Sequence, residues 1–281
     1  MKVFFCWNYN ENEDKFFIEL KKRDFVRYIG YLRGLGLSSN RVASLKSAIS
    51  SLSNCIEVLD EDLYPNFRNL IKSLEAVHKE PVREKTVLTD EQVEECLNKL
   101  LAQGQCQIAC ALALSFASGM RKAELTRMKV EFFDDAHLIL NGKMYKTGII
   151  KTKGHGSNGK QIPKYVLKNK FQPYFDAWMK QREERGIESP WLFVTISEGK
   201  FVQATVSQMN TYAEKIGVLM NVPFYFHCMR HLWTTNMQKE GISDSAIAEI
   251  QSWNSLEMVK RYSDIPTEEH WAQFFVEEDK E

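Results

Sequence analysis

The sequence predicts a mainly α-helical protein that carries a small antiparallel β-sheet and divides into two domains. Apolar residues recur every three or four positions through residues 14 to 29, 38 to 58 and 61 to 78, the spacing of amphipathic helices. The run HKEPVREK interrupts that spacing with Pro81 and several charges, which indicates a linker. From His137 to Leu167 the spacing becomes that of strands, and helical spacing then returns.

The first predicted domain comprises residues 1 to 80, and the linker comprises residues 81 to 87. The first two helices of this domain are separated by the Gly-rich turn RGLGLSSN, where Ser38 or Ser39 is the expected helix cap.

The second predicted domain comprises residues 88 to 281. Thr89 and Gln92 have the spacing of a capping box, so a helix should follow them. An apolar helix is expected at about 105 to 117, ended near Gly119, and a short helix begins around Lys122. The sheet is assigned to HLIL, MYKTGIIK and KQIPKYVL, which Asn141-Gly142 and the loop at 154 to 159 connect. Further helices are expected at about 169 to 186, 203 to 220, 228 to 240, 243 to 251, 255 to 261 and 267 to 275.

Composition excludes several classes of protein. With 281 residues, 44% of them hydrophobic and 26% charged, the chain is an ordinary globular sequence rather than a disordered one. No run approaches the eighteen apolar residues of a membrane span, and the first residues turn polar too early for a signal peptide, so we expect a cytoplasmic protein. The six cysteines form no C-x-x-C pair and lack histidines at zinc spacing, so neither a disulfide nor a metal site is expected.

The charges are balanced in number but segregated along the chain. A net charge of zero argues against a uniformly basic nucleic-acid-binding protein. However, eight lysines and no acidic residue lie between Ala136 and Tyr174, and a second basic cluster lies on the first helices. This pattern suggests two phosphate-facing surfaces, although solvated lysine faces without a ligand are also common. The candidate DNA-binding residues are Lys21, Lys22, Arg27, Arg41, Lys46, Lys151 and Lys160.

Five residues form a candidate phosphate-binding and phosphate-attacking set: Arg121, His227, Arg230, Trp253 and Tyr262. Two arginines can each contact the non-bridging oxygens of a phosphate, and a histidine and an indole N–H can donate to the same group. A tyrosine hydroxyl can attack the phosphorus. Taken singly, each residue also has a structural interpretation, such as a helix-surface ion pair or a core aromatic ring.

The loop GHGSNGK offers a competing hypothesis, because it superficially fits the phosphate-binding pattern of nucleotide hydrolases. Gln161 stands where Ser or Thr should hold magnesium, and Pro163 lies in a predicted strand where a helix should begin. A glycine-rich hairpin turn is the better interpretation.

Three segments resemble the sequence boxes of the tyrosine recombinases of the phage integrase family. SGMRKAELTRMK resembles the first arginine box, FHCMRHLWTTNMQKEG resembles the H-x-x-R-H box, and QSWNSLEMVKRYSDI resembles the box that ends in the nucleophile. The step of nine residues from Trp253 to Tyr262 equals the family's step from its His or Trp to its Tyr. The resemblance covers about residues 85 to 265.

The resemblance implies a fold and a set of roles. The fold would be an α-helical core-binding (SAM-like) domain followed by a mixed α+β catalytic domain with a C-terminal tail helix, without an arm-binding domain. Tyr262 would be the nucleophile, and Arg121 and Arg230 would clamp the phosphate. Lys153 would protonate the leaving 5′-oxygen, with Lys151 as the fallback. The remaining roles would be proton exchange by His227, N–H donation by Trp253 and support of these residues by Glu124.

The implied function is site-specific recombination of double-stranded DNA through a 3′-phosphotyrosyl intermediate, with no metal, ATP or other cofactor. The partners would be DNA recombination sites and three further copies in a homotetramer that exchanges its C-terminal helices. Two other hypotheses remain open: a DNA-binding protein of this fold that does not cut, and a type IB topoisomerase. The sequence departs from the family pattern at Gln251-Ser252 and at Asp264, which replaces a histidine.

Overall fold

The computed structural model describes residues 1–60, 62–77, 85–152 and 160–265. The chain divides into two compact units, Met1–Glu84 and Lys85–Glu281. The predicted tail helix at 267 to 275 and the candidate acid Lys153 lie outside the described residues. Over the ranges just given, no helix is long and apolar enough to cross a membrane.

The amino-terminal unit is helical, as predicted. It contains α1 (Lys2–Glu11), α2 (Lys22–Gly34) and α3 (Ser39–Leu59), with short 3-10 turns at Phe17–Glu19 and Leu70–Ser73. Its core is built from aromatic and aliphatic side chains of all three helices, among them Phe4, Trp7, Tyr28, Leu32 and Ile49. Ser38 caps α3 as expected, because its hydroxyl accepts a hydrogen bond from the Arg41 backbone N–H at 3.4 Å.

Two helix predictions in this unit are wrong. The helix expected from residue 14 begins only at Lys22. In place of a helix at 61 to 78, the described residues have isolated turns and one short 3-10 helix, Leu70–Ser73. The amide of Asn69 donates to the Ser50 carbonyl at 2.8 Å, and its oxygen accepts from the Ile71 backbone at 3.1 Å. Such side-chain bonds compete with helical hydrogen bonds. Helix α1 was not predicted, although Phe4 and Trp7 bury its inner face.

The carboxy-terminal unit is built around one buried helix. Its helices are α4 (Asp90–Ala102), α5 (Cys106–Ser118), α6 (Lys122–Leu125), α7 (Lys168–Glu184), α8 (Val206–Met220), α9 (Phe226–Lys239), α10 (Asp244–Gln251) and α11 (Glu257–Tyr262). Every residue of α5 from Ile108 onward is buried, and this helix packs against α4, α7 and α9. The capping box before α4 is confirmed, with reciprocal bonds of 3.0 and 3.3 Å between Thr89 and Gln92. Gly119 ends α5 in the left-handed conformation, with φ of 60°.

The strands form three small antiparallel sheets where one was predicted. Strands β1 (Leu138–Ile139), β2 (Met144–Lys146) and β5 (Tyr165–Leu167) form the first sheet, β3 (Ile150–Thr152) and β4 (Lys160–Ile162) the second. The hairpin of β6 (Val194–Ser197) and β7 (Lys200–Gln203) was not predicted. The run MYKTGIIK breaks at Gly148, where a Cβ would overlap the Phe132 ring. The run KQIPKYVL breaks at Pro163, which has no N–H for a ladder.

Candidate active site

Tyr262 lies inside a cage of aromatic rings at the end of α11. The residue is 6% exposed, and its ring stacks on Trp253, with ring centroids 5.0 Å apart and an interplanar angle of 15°. His227 and His231 contact the same ring edge-on, with centroids at 5.2 and 4.9 Å. The guanidinium carbon of Arg230 lies 5.3 Å from its centroid. These contacts fix the phenol ring from several directions and place it beside a positive charge.

Arg230 is the most deeply buried charge of the site. One guanidinium nitrogen, Nη1, donates to the Gly119 carbonyl at 2.9 Å, and the guanidinium carbon lies 4.8 Å from the Trp253 ring centroid. Among the described residues, Nε and Nη2 of Arg230 and Nε1 of Trp253 are buried without a hydrogen-bond partner. Burial, and next the charge of Arg121, lower the pKa of Arg230 to about 10, so the group is still cationic at neutral pH. Buried donors left unpaired are costly, and an anion would satisfy them.

Arg121 and Glu124 are joined by two hydrogen bonds at the start of α6. The Arg121 backbone N–H donates to Oε2 of Glu124 at 3.0 Å, and its Nη1 donates to Oε1 at 3.1 Å. The Arg121 side chain is 31% exposed, whereas the Glu124 side chain is buried. The helix-surface ion pair and the active-site role are therefore compatible, because the guanidinium keeps donors available to a ligand.

The turn after α5 connects this arginine to the helices that carry the other candidates. The Ser118 carbonyl accepts from Nε2 of Gln251 at 2.7 Å, next to the Gly119 carbonyl that holds Arg230. Gln251, one of the departures from the family pattern, is buried and ties α10 to this turn. Ser252 follows in the left-handed conformation, with φ of 54°, and turns the chain toward Trp253.

Both histidines of the cage have strongly lowered pKa values. The His227 side chain is exposed on one side, but the atoms packed around it, followed by the charges of Arg230 and Arg121, lower its pKa to about 4. Burial, followed by the charges of Lys85 and His227, lowers the pKa of His231 to about 4 as well. Both rings are therefore neutral near pH 7, and a neutral imidazole can accept a proton.

Sequence reasoning missed a cluster of titratable side chains next to the cage. Nδ1 of His231 lies 3.5 Å from the carboxylate of Asp264, and that carboxylate is ion-paired with Lys85. The Asp264 backbone N–H also donates to Oγ1 of Thr235 at 2.9 Å. The second His of FHCMRH and the Asp two residues beyond Tyr262 are the only signals for this cluster, and neither signal by itself predicts a role.

The β3–β4 hairpin contacts the turn that precedes Trp253. Nζ of Lys160 donates to the Ser252 carbonyl at 3.3 Å, and Lys151 pairs with Gln161 across the hairpin. The Lys151 carbonyl accepts a hydrogen bond from Arg127. The lysine-rich stretch as a whole is not one phosphate-facing surface: Lys164 is buried, and other members make local contacts, such as Lys170 with Asp90 at 2.8 Å.

The basic candidates of the amino-terminal unit fall into two groups. Lys21, Lys22 and Arg41 are exposed at the starts of α2 and α3. Arg27 donates to Asn12 and to the Glu11 carbonyl, and Lys46 donates to the Leu74 and Glu75 carbonyls. Arg27 and Lys46 thus make hydrogen bonds within the unit, and Arg27 is exposed like the first three.

The chain is similar to proteins that carry the name recombinase. The SPbeta prophage-derived recombinase-like protein YomM of Bacillus subtilis is 28% identical over 219 residues, which is 77% of this chain and 64% of that protein. The tyrosine recombinase XerA of Pyrococcus furiosus is 24% identical over 252 residues, covering 86% of this chain and 75% of that protein. The chain thus spans slightly less than two thirds of the Bacillus protein's length.

Solved structures show the same fold. The Tn1549 transposon integrase in complex with circular intermediate DNA superposes with a TM-score of 0.66 at 15% identity, over 96% of this chain and 89% of that one. A lambda integrase dimer bound to a core site superposes with a TM-score of 0.58 at 14% identity, over 88% and 80%. The predicted fold class is confirmed by these likenesses.

The family model described as "Phage integrase family" matches residues 86–269, which is most of the chain. That range contains every residue of the Tyr262 cage, together with Arg121, Glu124 and Arg230. The chain therefore belongs to the phage integrase family.

Proposed function

We propose that this protein is a site-specific DNA recombinase that cleaves and rejoins double-stranded DNA through a 3′-phosphotyrosyl intermediate. The observation that carries the proposal is the packing of Tyr262 against Arg230, whose Nε and Nη2 are buried without partners among the described residues. Two relatives support the proposal by their names: one is called a tyrosine recombinase and the other a prophage-derived recombinase-like protein. Neighbours of the same fold were solved with DNA bound.

Binding of the scissile phosphate falls to the two arginines. A phosphodiester would satisfy the unpaired nitrogens of Arg230, and the available donors of Arg121 would hold a second non-bridging oxygen. Negative charge grows on the phosphorus oxygens in the pentavalent transition state. Arginines fixed beforehand in a buried site stabilise that charge more than water does.

Activation of the nucleophile requires removal of a proton from a phenol whose ordinary pKa is ~10. Neutral His227 lies against Tyr262 and is the acceptor we assign to this proton. The oxygen of Tyr262 then forms a bond to phosphorus as the bond to the 5′-oxygen breaks. Lys153, by the family resemblance, protonates the departing 5′-oxygen, and Trp253 donates its indole N–H to the phosphate.

Rejoining follows from the same chemistry run in reverse. The phosphotyrosyl bond conserves the energy of the broken phosphodiester, so a 5′-hydroxyl of another strand can attack it without ATP. No metal has a role in this scheme, because arginine and lysine supply the positive charge. In recombination, we propose that four copies act on two DNA sites and exchange their C-terminal segments, where the sequence places Trp271, Phe274 and Phe275.

Covalent trapping tests the proposal and selects the preferred DNA site in the same experiment. Full-length protein is incubated, in buffer with EDTA, with duplex fragments from the DNA flanking the reading frame and with a pool of randomised duplexes. Every duplex carries a nick, so that cleavage beside the nick releases a short strand and the adduct cannot be resealed. We expect a DNA adduct that resists SDS, and sequencing of its DNA identifies the preferred duplex.

The Tyr262→Phe variant is the matched control, since it removes one oxygen and keeps the ring contacts. It should bind the selected duplex and form no adduct. If wild-type protein binds but forms no adduct, the non-cleaving hypothesis is correct. Relaxation of supercoiled plasmid without sequence preference would support the topoisomerase hypothesis instead.

A further inference from the structure

Lys164 is a buried lysine at the break between two strands. It follows Pro163 and precedes β5, and its side chain is 3% exposed. Two hydrogen bonds to Thr147 fix its backbone: the Thr147 N–H donates to the Lys164 carbonyl at 2.8 Å, and the Lys164 N–H donates to the side-chain Oγ1 of Thr147 at 2.9 Å. A lysine is seldom fully buried unless it is paired.

The partner of Lys164 is the carboxylate that holds Arg121. Its Nζ lies 3.1 Å from Oε2 of Glu124, the same oxygen that accepts from the Arg121 backbone N–H. The other oxygen of Glu124 accepts from Nη1 of Arg121 at 3.1 Å. One carboxylate therefore links the strand junction to the arginine that faces the phosphate position.

The charges around Glu124 explain why this carboxylate needs the lysine. Burial, the largest single influence, would raise the pKa of Glu124. The charge of Lys164, the backbone hydrogen bond from Arg121 and the charges of Arg121 and Arg230 together outweigh burial and lower that pKa. Lys164 is the strongest of these lowering influences. Two further titratable groups, His227 and Tyr262, lie next to Arg230.

We propose that Lys164 is a positioning residue for Arg121: it holds the buried Glu124 carboxylate in place, and through it sets the guanidinium that binds the scissile phosphate. This inference rests on the recombinase function proposed above. It assigns Lys164 a role distinct from that of Lys153, because an ammonium group buried against a carboxylate has no access to a leaving 5′-oxygen. It also removes Lys164 from the phosphate-facing lysines that the sequence suggested.

A double-mutant cycle tests the inference on the duplex selected by trapping. The variants are Lys164→Met, Glu124→Gln and the double variant, and the control is Lys180→Met, an exposed lysine of α7. The rate of adduct formation is measured at saturating protein, and duplex binding is measured separately. We expect Lys164→Met to lower the rate by about 100-fold, as misplacement of a catalytic group by about 1 Å does, with little change in binding. Lys180→Met should match wild type.

Coupling through Glu124 gives two further expected results. Lys164→Met should change the rate little when Glu124→Gln is already present, because the group through which it acts is then altered. In Lys164→Met alone, the strongest influence that lowers the pKa of Glu124 is lost, so that pKa should rise. As the pH is lowered, the rate should therefore begin to fall at a higher pH than in wild type. The double variant should lose this additional pH dependence.

Several outcomes would overturn the inference. If the two single effects multiply in the double variant, or if Lys164→Met has the pH profile of wild type, Lys164 does not act through Glu124. If Lys164→Met does not fold, the double variant, which buries no unpaired carboxylate, is compared with Glu124→Gln alone. Equal rates of adduct formation support the role, and a further large loss in the double variant contradicts it. Absence of any wild-type adduct would refute the recombinase proposal itself, whereas a wild-type adduct with an unchanged Lys164→Met rate refutes only this inference.

Discussion

Replacement of Gly119 by alanine should damage both the stability of the carboxy-terminal unit and the placement of Arg230. Gly119 has φ of 60° at the end of α5, and its carbonyl accepts the hydrogen bond from Arg230. A Cβ at this position would lie 3.1 Å from Nε2 of Gln251 and 3.1 Å from Cγ of Trp233. Both neighbours belong to the packing beneath the candidate site, so neither can move freely.

Gly104 is the matched control because it shares the backbone conformation and lacks the crowding. Its φ is 67°, and no atom would lie within 4 Å of an added Cβ. A left-handed non-glycine residue costs roughly 1–2 kcal/mol at either position. Overpacking adds roughly 1–3 kcal/mol at Gly119 only. We therefore expect Gly104→Ala to lower the free energy of unfolding by about 1–2 kcal/mol and Gly119→Ala by about 2–5 kcal/mol.

Urea unfolding followed by tryptophan fluorescence measures these free energies, and the trapping assay measures adduct formation. Gly119→Ala should also slow adduct formation by about 10- to 100-fold, since the contact that sets Arg230 is displaced. Gly104→Ala should leave the rate unchanged. Equal losses of stability in the two variants, or a normal rate in Gly119→Ala, would refute the argument that this turn is close-packed against the site.

Two further predictions follow from the aromatic cage. Because the pKa of His231 is lowered from 6.5 to about 4 and its side chain is 13% exposed, its contribution to stability is present above pH 6.5 and is lost as the pH falls toward 4. At ~1.4 kcal/mol per pH unit this loss is about 3 kcal/mol. The free energy of unfolding, measured with urea, should therefore decline less steeply over that pH range in His231→Gln than in wild type. Trp253→Phe retains a ring for Tyr262 to stack on and removes the indole N–H, so adduct formation should slow by about tenfold with stability nearly unchanged. A rate equal to that of wild type would exclude N–H donation by Trp253.

Local sequence signals predicted the parts of the molecule that depend on local chemistry. The capping box at Thr89, the glycine stop at Gly119 and the helix that carries Arg230 all follow from short-range preferences, although that helix begins at Phe226 and not at about 228. The family resemblance carried the longer-range expectation that Arg121 would meet residues more than a hundred positions away. In the structure, Arg230 bonds to the Gly119 carbonyl, two residues before Arg121.

The parts that were missed depend on contacts that no local pattern encodes. Lys164 resembles one more lysine of a basic stretch, because nothing around it in the sequence indicates that Glu124 lies 3.1 Å away. Asp264 and Lys85 are far apart in sequence and pair only in the folded unit. The single predicted sheet became several because breaks at Gly148 and Pro163 redirect the strands, and strand pairing is a tertiary choice.

The central claim is that Tyr262 becomes covalently joined to the 3′-phosphate of the cleaved strand. Its most direct test is mass spectrometry of the trapped adduct after digestion of both protein and DNA. We predict a nucleotide attached to the peptide that contains Tyr262, with a free 5′-hydroxyl on the released strand. Attachment at another residue, or a 5′-phosphate attached to Tyr262, would contradict the account.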